Sequence, residues 1–345
     1  MLRAVNSVPP RTRPRRRTCL GTTVRDTVWM LERVTESRLL APDRAVVVLL
    51  SGGRDSTCLL DLAERIAGAG AVTALHVNYG LRSAAGEDER HCTELCDRLG
   101  VGLEVRRPRR PESGNLQAWA RDERYGAAAQ LALGRGADVA AGHTATDQVE
   151  TILYRLASAP SRRALLGMRA RDGLLVRPLL GFTREQTAAY CRERDLPWRE
   201  DESNQAETFA RNRIRAALVP ALRSIHPAAE ANVLALANLL RDEGDVLDEL
   251  VDEVLDGSHE IALSRLRELP VALQRLVVQR LADAAMGRPA PGTARRIDEI
   301  AALPARGQAA LDLPHGVRAL ARGGVLRFVR TPALAGQPGA RSGRP

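Results

Sequence analysis

Val46-Val47-Val48-Leu49-Leu50 runs directly into Ser51-Gly52-Gly53-Arg54-Asp55-Ser56. A short apolar run rich in valine and closed by glycine predicts a buried strand. The helical spacing through Leu59, Leu60 and Ala63 predicts a helix behind it. Strand, glycine turn and helix N-terminus together form a cradle for phosphate. Free N–H groups and the helix dipole favour an anion, and Gly52 and Gly53 permit a close approach and unusual backbone dihedrals. Ser51 and Ser56 add hydroxyl donors. Asp55 would repel bare phosphate, so Mg²⁺ is expected between them, with Asp55 as its protein ligand. The plainer alternative is a turn in which Ser or Asp only caps the helix. Six consecutive residues of this pattern after a buried strand weigh against it.

Working outward, apolar runs alternate with helical patterns. Strands are expected at 45–50, 72–77, 101–105, 138–141 and 174–179. Helices are expected at 86–99, 116–133 and 146–156. The alternation predicts an α/β fold, a parallel sheet with helices on both faces, whose ligands bind beyond the carboxyl ends of the strands. From about residue 230 the texture changes. Val233, Ala237, Leu240, Gly244, Leu247, Val251 and Val254 alternate four and three apart, a helix with a narrow apolar seam. Further helices are expected at 264–285 and 292–302. The expected organisation is a basic, disordered extension at 1–25, a catalytic domain at 26–225, a small, mostly helical domain at 226–330, and a disordered tail at 331–345.

Composition narrows the function. All 51 basic residues are Arg, so a Walker A loop, which needs Lys on the phosphates, is excluded. The net charge is +9, but residues 1–17 carry six Arg and no acid, which leaves 9 − 6 = +3 for the rest of the 345-residue chain. Any nucleic-acid footprint must therefore be local. The Arg-rich start also resembles an organellar transit peptide in composition. Five cysteines, Cys19, Cys58, Cys92, Cys96 and Cys191, form no CxxC pair. That argues against a disulfide framework or a zinc site and suits a reducing, cytoplasmic location. No apolar run reaches the length of a membrane span.

Ser51-Gly52-Gly53-Arg54-Asp55-Ser56 resembles the SGGxDS signature of the PP-loop ATP pyrophosphatases, enzymes that split ATP into AMP and pyrophosphate while adenylating a substrate oxygen. Four further segments are similar to tRNA(Ile)-lysidine synthetases. They are His76-Val77-Asn78-Tyr79-Gly80-Leu81-Arg82, with Tyr79 in place of the family's usual His; Ala120-Arg121-Asp122-Glu123-Arg124-Tyr125; Gly142-His143-Thr144-Ala145-Thr146-Asp147-Gln148-Val149-Glu150-Thr151; and Trp198-Arg199-Glu200-Asp201-Glu202-Ser203-Asn204 with Phe209-Ala210-Arg211-Asn212-Arg213-Ile214-Arg215. Arg177-Pro178-Leu179-Leu180 also fits. The stretch 157–163 departs from the family's glycine-rich turn. The likeness covers about residues 44–220.

The resemblance implies that ATP adenylates C2–O of the wobble cytidine in a CAU-anticodon tRNA(Ile), and that free L-lysine then displaces AMP to form lysidine. It implies nucleotide contacts from Ser51 to Ser56 and from His76, and catalytic roles for Asp55, Arg121, Arg124, His143, Asp147 and Glu150. Arg121 or Arg124 would stabilise charge at the α-phosphate. Asp147 and Glu150 would hold the lysine ammonium, take its proton, or bind Mg²⁺. Thr144-x-x-Asp147 also reads as a capping box. Arg211, Asn212, Arg213 and Arg215 would contact the tRNA, with Arg106, Arg107, Arg109 and Arg110 as weaker candidates. The rival readings are a PP-loop tRNA thiolase, which would need a reactive cysteine, an amide ligase acting on small metabolites, and a non-catalytic RNA-binding relic. Nothing in the sequence sets the oligomeric state, and a homodimer is compatible with it.

Overall fold

In the computed structural model, residues 26–81, 83–158, 162–200 and 210–332 are described. The expected basic extension and nearly all of the expected tail lie outside these residues, as do Arg82, Asp201 to Phe209 and the side chain of Arg211.

The chain divides into two units. One takes in the described chain up to Tyr154 together with Met168–Ser224, and the other takes in Arg155–Gly167 and the chain from Ile225 on.

The first unit follows the expected alternation. Its elements begin α1 (Asp26–Glu36), β1 (Val46–Leu49), α2 (Arg54–Ala67), β2 (Val72–Val77), α3 (Ala85–Leu99), β3 (Gly102–Arg106), α4 (Leu116–Arg135), β4 (Asp138–Ala140) and α5 (Ala145–Ser158). After α6 (Arg162–Leu165), which belongs to the second unit, come β5 (Arg171–Asp172), β6 (Leu175–Val176), α7 (Arg184–Glu193), α8 (Ala210–Arg213), a π-helical turn at Ile214–Leu218 and α9 (Val219–Ile225).

The sheet order is β3-β2-β1-β4-β6-β5. All neighbours pair in parallel except β5, which runs antiparallel to β6. The fifth parallel strand is thus only two residues long and carries an edge strand that the sequence did not suggest. β1 is central, and both its faces are covered. Val46, Val48 and Leu50 pack with Leu59, Leu62 and Ala63 of α2 and with Met30 and Val34 of α1. Val47 and Leu49 pack with Ala128 and Ala132 of α4. Burial on both faces explains why β1 reads as an unbroken apolar run. Strand order reverses between β1 and β4, so a crevice is expected beyond their carboxyl ends.

The second unit is mostly helical, as expected, and adds a small sheet that the sequence reading did not suggest. Beside α10 (Ala229–Leu255), α11 (Leu263–Glu268), α12 (Val271–Met286) and α13 (Ile297–Ala301) it contains four strands, β7 (Glu260–Ala262), β8 (Gln308–Leu313), β9 (Val317–Arg322) and β10 (Val325–Arg330). They form one antiparallel sheet in the order β7-β10-β9-β8. The signal was present in the chain. Val317, Ala319 and Ala321 alternate inward, as do Leu326 and Phe328, and Gly323-Gly324 forms the tight turn between β9 and β10. The single helix expected at 264–285 is broken at Leu269-Pro270, because proline cannot continue a helix. The α10 seam matches its expectation, with Ala237, Gly244 and Val251 buried. Residues 155–167 belong with α10. Arg162 donates to the Leu240 carbonyl at 2.7 Å, and Arg241 donates to the Leu166 carbonyl.

Candidate active site

The crevice expected at the β1/β4 reversal is present as a cavity of about 830 Å³. Its walls include Ser51, Gly53, Arg54, Asp55 and Ser56 behind β1, His143 and Asp147 behind β4, Arg124 and Tyr125 of α4, Arg184 of α7, Trp198, Arg199 and Glu200, and Arg215. That volume lies within the usual range for a small-molecule site.

The phosphate loop is held by its own hydroxyls. Ser51 N–H donates to Ser56 Oγ at 3.2 Å, Ser56 Oγ donates to the Gly53 carbonyl at 2.8 Å, and the Ser51 and Ser56 hydroxyls lie 3.1 Å apart. Gly53 is the N-cap of α2 and has no side-chain cap, so the plain capping alternative does not describe this turn. Only Gly52 takes an unusual backbone, with φ +79°, whereas Gly53 is extended at φ −78°. A Cβ on Gly52 would also lie 3.2 Å from the His91 ring and 3.3 Å from Cys92 Sγ. Arg199 N–H donates to the Gly52 carbonyl at 2.9 Å, and the Arg199 side chain holds Asp88 and Glu87 at 2.8 Å each. These bonds fix the Trp198–Glu200 segment against the loop. Behind β4, a Cβ on Gly142 would lie 3.0 Å from the Asp55 carbonyl oxygen. Glycine there lets the loop after β1 and the loop after β4 touch backbone to backbone.

Three carboxylates converge. Asp55 accepts from Thr187 Oγ1 at 2.5 Å and from Arg54 Nε at 3.2 Å. Thr144 donates from its N–H and its hydroxyl to Asp147 Oδ2, both at 2.9 Å, while Asp147 N–H returns to Thr144 Oγ1 at 3.4 Å. The capping box is therefore real, and it leaves Oδ1 for the cavity, where Arg184 Nη2 reaches it at 2.7 Å. Burial alone would raise the Asp147 carboxyl, but Arg184 and the two Thr144 bonds carry it below the ordinary carboxylate range. Glu150, almost wholly buried, takes a bidentate pair from Arg215 at 2.6 and 2.9 Å.

Not every expected residue faces the cavity. Leu75 and Val77 of β2 line it, so His76 between them points away. The His76 Nδ1 instead lies 3.0 Å from the Leu50 carbonyl, which makes it a brace under the loop rather than a nucleotide contact. Arg121 is exposed and stacks 4.7 Å from the Tyr125 ring centroid. Arg124 does line the cavity, and its Nε is buried without a hydrogen-bond partner among the described residues. His143 is pushed down to about 4 by burial, with Arg177, Arg121 and Arg124 acting in the same direction and Asp147 opposing. It is a neutral imidazole at pH 7 and a weak base, suited to hydrogen bonding rather than proton abstraction. Arg215, read from sequence as a tRNA contact, sits on the cavity wall against Glu150, whereas Arg213 is exposed and Asn212 partly so. Arg106 pairs with Glu104 and Arg107 with Glu89, while Arg109 and Arg110 are exposed.

Sequence reasoning missed Arg184, Thr187 and the close approach at Gly142. Thr183-Arg184-Glu185-Gln186 does carry a signal. Thr183 and Gln186 form a capping box that starts α7, which puts Arg184 in its first turn. Tyr79 donates from its hydroxyl to the Ala120 carbonyl at 2.8 Å and lines the cavity. Among the described residues no group of three His, Cys, Asp or Glu side chains has an arrangement that could hold a metal ion by itself, and the three converging carboxylates are occupied by arginines. One or two carboxylates beside a phosphate cradle fit the way Mg²⁺ is commonly held together with nucleotide oxygens, and Asp55 is the carboxylate within the loop that would hold it.

Residues 27–222 match the family described as PP-loop domain, so fold and site together define a PP-loop protein. The curated relatives narrow this. The tRNA(Ile)-lysidine synthase of Pseudomonas aeruginosa is 38% identical over 267 residues, which are 70% of this chain and 60% of the relative. That of a Synechococcus species is 32% identical over 315 residues, 86% of this chain and 95% of the relative. The chain belongs to the tRNA(Ile)-lysidine synthase family. It spans 60% and 47% of the lengths of the Pseudomonas aeruginosa and Pseudomonas fluorescens relatives. Among solved structures, a U34-tRNA thiolase from Methanococcus maripaludis is similar in fold, with a TM-score of 0.52 at 14% identity, covering 63% of this chain and 79% of that one.

Proposed function

We propose that this protein uses ATP to adenylate the C2 oxygen of the wobble cytidine in a CAU-anticodon tRNA(Ile), and then joins that carbon to the side-chain amine of free L-lysine, releasing AMP. The observation that carries the reading is the juxtaposition of a phosphate loop with Asp147 across one cavity, with Glu150 buried against Arg215 of the cavity wall. On this reading the loop backbone and Arg54 hold the pyrophosphate, and Arg124 stabilises charge developing at the α-phosphate. Mg²⁺ on Asp55 would supply charge neutralisation there. Asp147 and Glu150 offer two carboxylates to an ammonium group and a route for its proton, which must leave before the amine can attack. Arg211, Asn212 and Arg213 are proposed to meet the tRNA backbone, and the second unit to bind tRNA. The cytoplasm is the proposed location, and no described helix is long and apolar enough to cross a membrane.

The thiolase reading needs a reactive thiol. Cys92 and Cys96 are both pushed up to about 12 by burial, and Cys58 is raised by burial as well, so none of the three supplies a thiolate at neutral pH.

The test is incubation of the full chain with ATP, Mg²⁺, labelled lysine and CAU-anticodon tRNA. Lysine should enter the tRNA with pyrophosphate release. The Asp55→Ala variant should lose pyrophosphate release while still binding tRNA. Pyrophosphate release without lysine incorporation, driven by another substrate, would overturn the assignment.

A further inference from the structure

Three acids gathered around Arg184, namely Asp55 and Asp147 on the cavity wall and the buried Glu150 beside them, are each matched by an arginine. Arg54 lies 3.2 Å from Asp55, Arg184 lies 2.7 Å from Asp147, and Arg215 lies 2.6 Å from Glu150. At this cluster an arriving ammonium group meets no uncompensated acid, and one of the guanidiniums must give way before lysine can be held there.

Arg184 differs from the other two. Its guanidinium reaches all three acids, at 2.7 Å from Asp147 Oδ1, 3.7 Å from Asp55 Oδ2 and 3.8 Å from Glu150 Oε1. It therefore stands between the phosphate side of the cavity, on α2, and the acidic side, on α5. Its buried Nε faces Asp55 at that 3.7 Å and makes no hydrogen bond among the described residues. It is also the first residue of α7, where the helix dipole disfavours a cation. The carboxylates offset that cost, and a cation kept there is held weakly by its own helix. Arg215, by contrast, makes two short bonds to one acid.

A triphosphate in the loop places several negative charges beside Asp55. Phosphate oxygens bind a guanidinium at least as well as a carboxylate does, through the same forked hydrogen bonds. Each step of Arg184 toward phosphate takes the nearest cation from Asp147 and a second cation from Glu150. We propose that Arg184 couples the two small substrates: bound nucleotide draws its guanidinium off Asp147 and Glu150, and these acids then accept the lysine ammonium. The inference rests on the reading of Asp147 and Glu150 as the lysine-holding pair. Arg184 is on this account a positioning residue, and the coupling is reciprocal, so lysine tightens nucleotide binding by the same factor.

The experiment is calorimetric titration of L-lysine into the full chain, with and without Mg²⁺ and α,β-methylene-ATP, whose α–β linkage the reaction cannot cleave. In the wild type the analogue should tighten lysine binding by about 5- to 150-fold, the ordinary range for coupled sites. Arg184→Gln should bind lysine without nucleotide more tightly than the wild type does, and the analogue should leave its affinity unchanged. Arg184→Lys keeps the charge but loses the planar fork, so its coupling should fall short of the wild type. It carries the test if thermal melting shows the Gln variant unfolded. An analogue with no effect on the wild type, or full coupling in either variant, overturns the proposal. Asp147→Asn and Glu150→Gln, titrated with the analogue present, separate the two levels. If they bind lysine as the wild type does, the reading of the lysine site fails. If they lose lysine while nucleotide has no effect on the wild type, only the coupling fails.

Discussion

His143 shows how a residue named from a motif acquires its chemistry only from its surroundings. Burial holds its imidazole neutral down to a pKa of about 4, against an ordinary value of 6.5. The unfolded chain takes up a proton near 6.5 that the folded protein refuses until about 4. Stability is therefore fully present above 6.5 and is lost as the pH falls through that window, by up to about 1.4 kcal/mol per pH unit. His143→Asn should flatten the pH dependence of denaturant-unfolding free energy between pH 6.5 and 4. An unchanged slope would show that the group is not held neutral. Asp147 and Glu150 were legible as two acids on one helix face, since their spacing says so. That both would carry an arginine was not legible, because Arg184 and Arg215 lie 37 and 65 residues away in sequence. Arg215 was misplaced for the same reason: a cluster of basic residues reads as a phosphate-binding face until a buried acid is seen to hold one of them.

At the scale of elements, the β1-loop-α2 unit was the most legible part of the chain, because strand, turn and helix are local and each has its own residue chemistry. The two glycines of the loop are not equivalent, however, and sequence alone treated them alike. Gly52→Ala should cost about 1–2 kcal/mol from its left-handed backbone alone, with further crowding against His91 and Cys92. Gly53→Ala, in an extended conformation, should leave unfolding free energy nearly unchanged. Equal losses in denaturant titrations would contradict the difference in backbone. Gly142→Ala should cost about 1–3 kcal/mol by overpacking. It should also weaken binding of α,β-methylene-ATP, since the added methyl meets the backbone of Asp55 at the start of α2. The strands β7 to β10 were missed although their alternation is plain. The helical texture of 230–302 was extended over a stretch whose period is two rather than 3.6.

At the scale of the whole molecule, each unit has its own core, one around the parallel sheet and one around β7 to β10. Leu326 is fully buried in the second. Leu326→Ala should cost about 2–5 kcal/mol in that unit while leaving nucleotide binding by the first intact. Calorimetry with α,β-methylene-ATP on the variant checks this, and loss of nucleotide binding at a temperature where the first unit remains folded would contradict it. The sequence by itself determined the parallel sheet, the phosphate loop, the two acids on α5 and the family, because these depend on local periodicity and on contiguous motifs. Only the tertiary structure decided which side chains meet in the cavity. Strand β2 turns His76 away, α7 brings in Arg184 and Thr187, and the segment after α8 brings Arg215 onto Glu150. Those pairings join residues far apart in the chain, and nothing in a one-dimensional pattern records which distant charge will neutralise which.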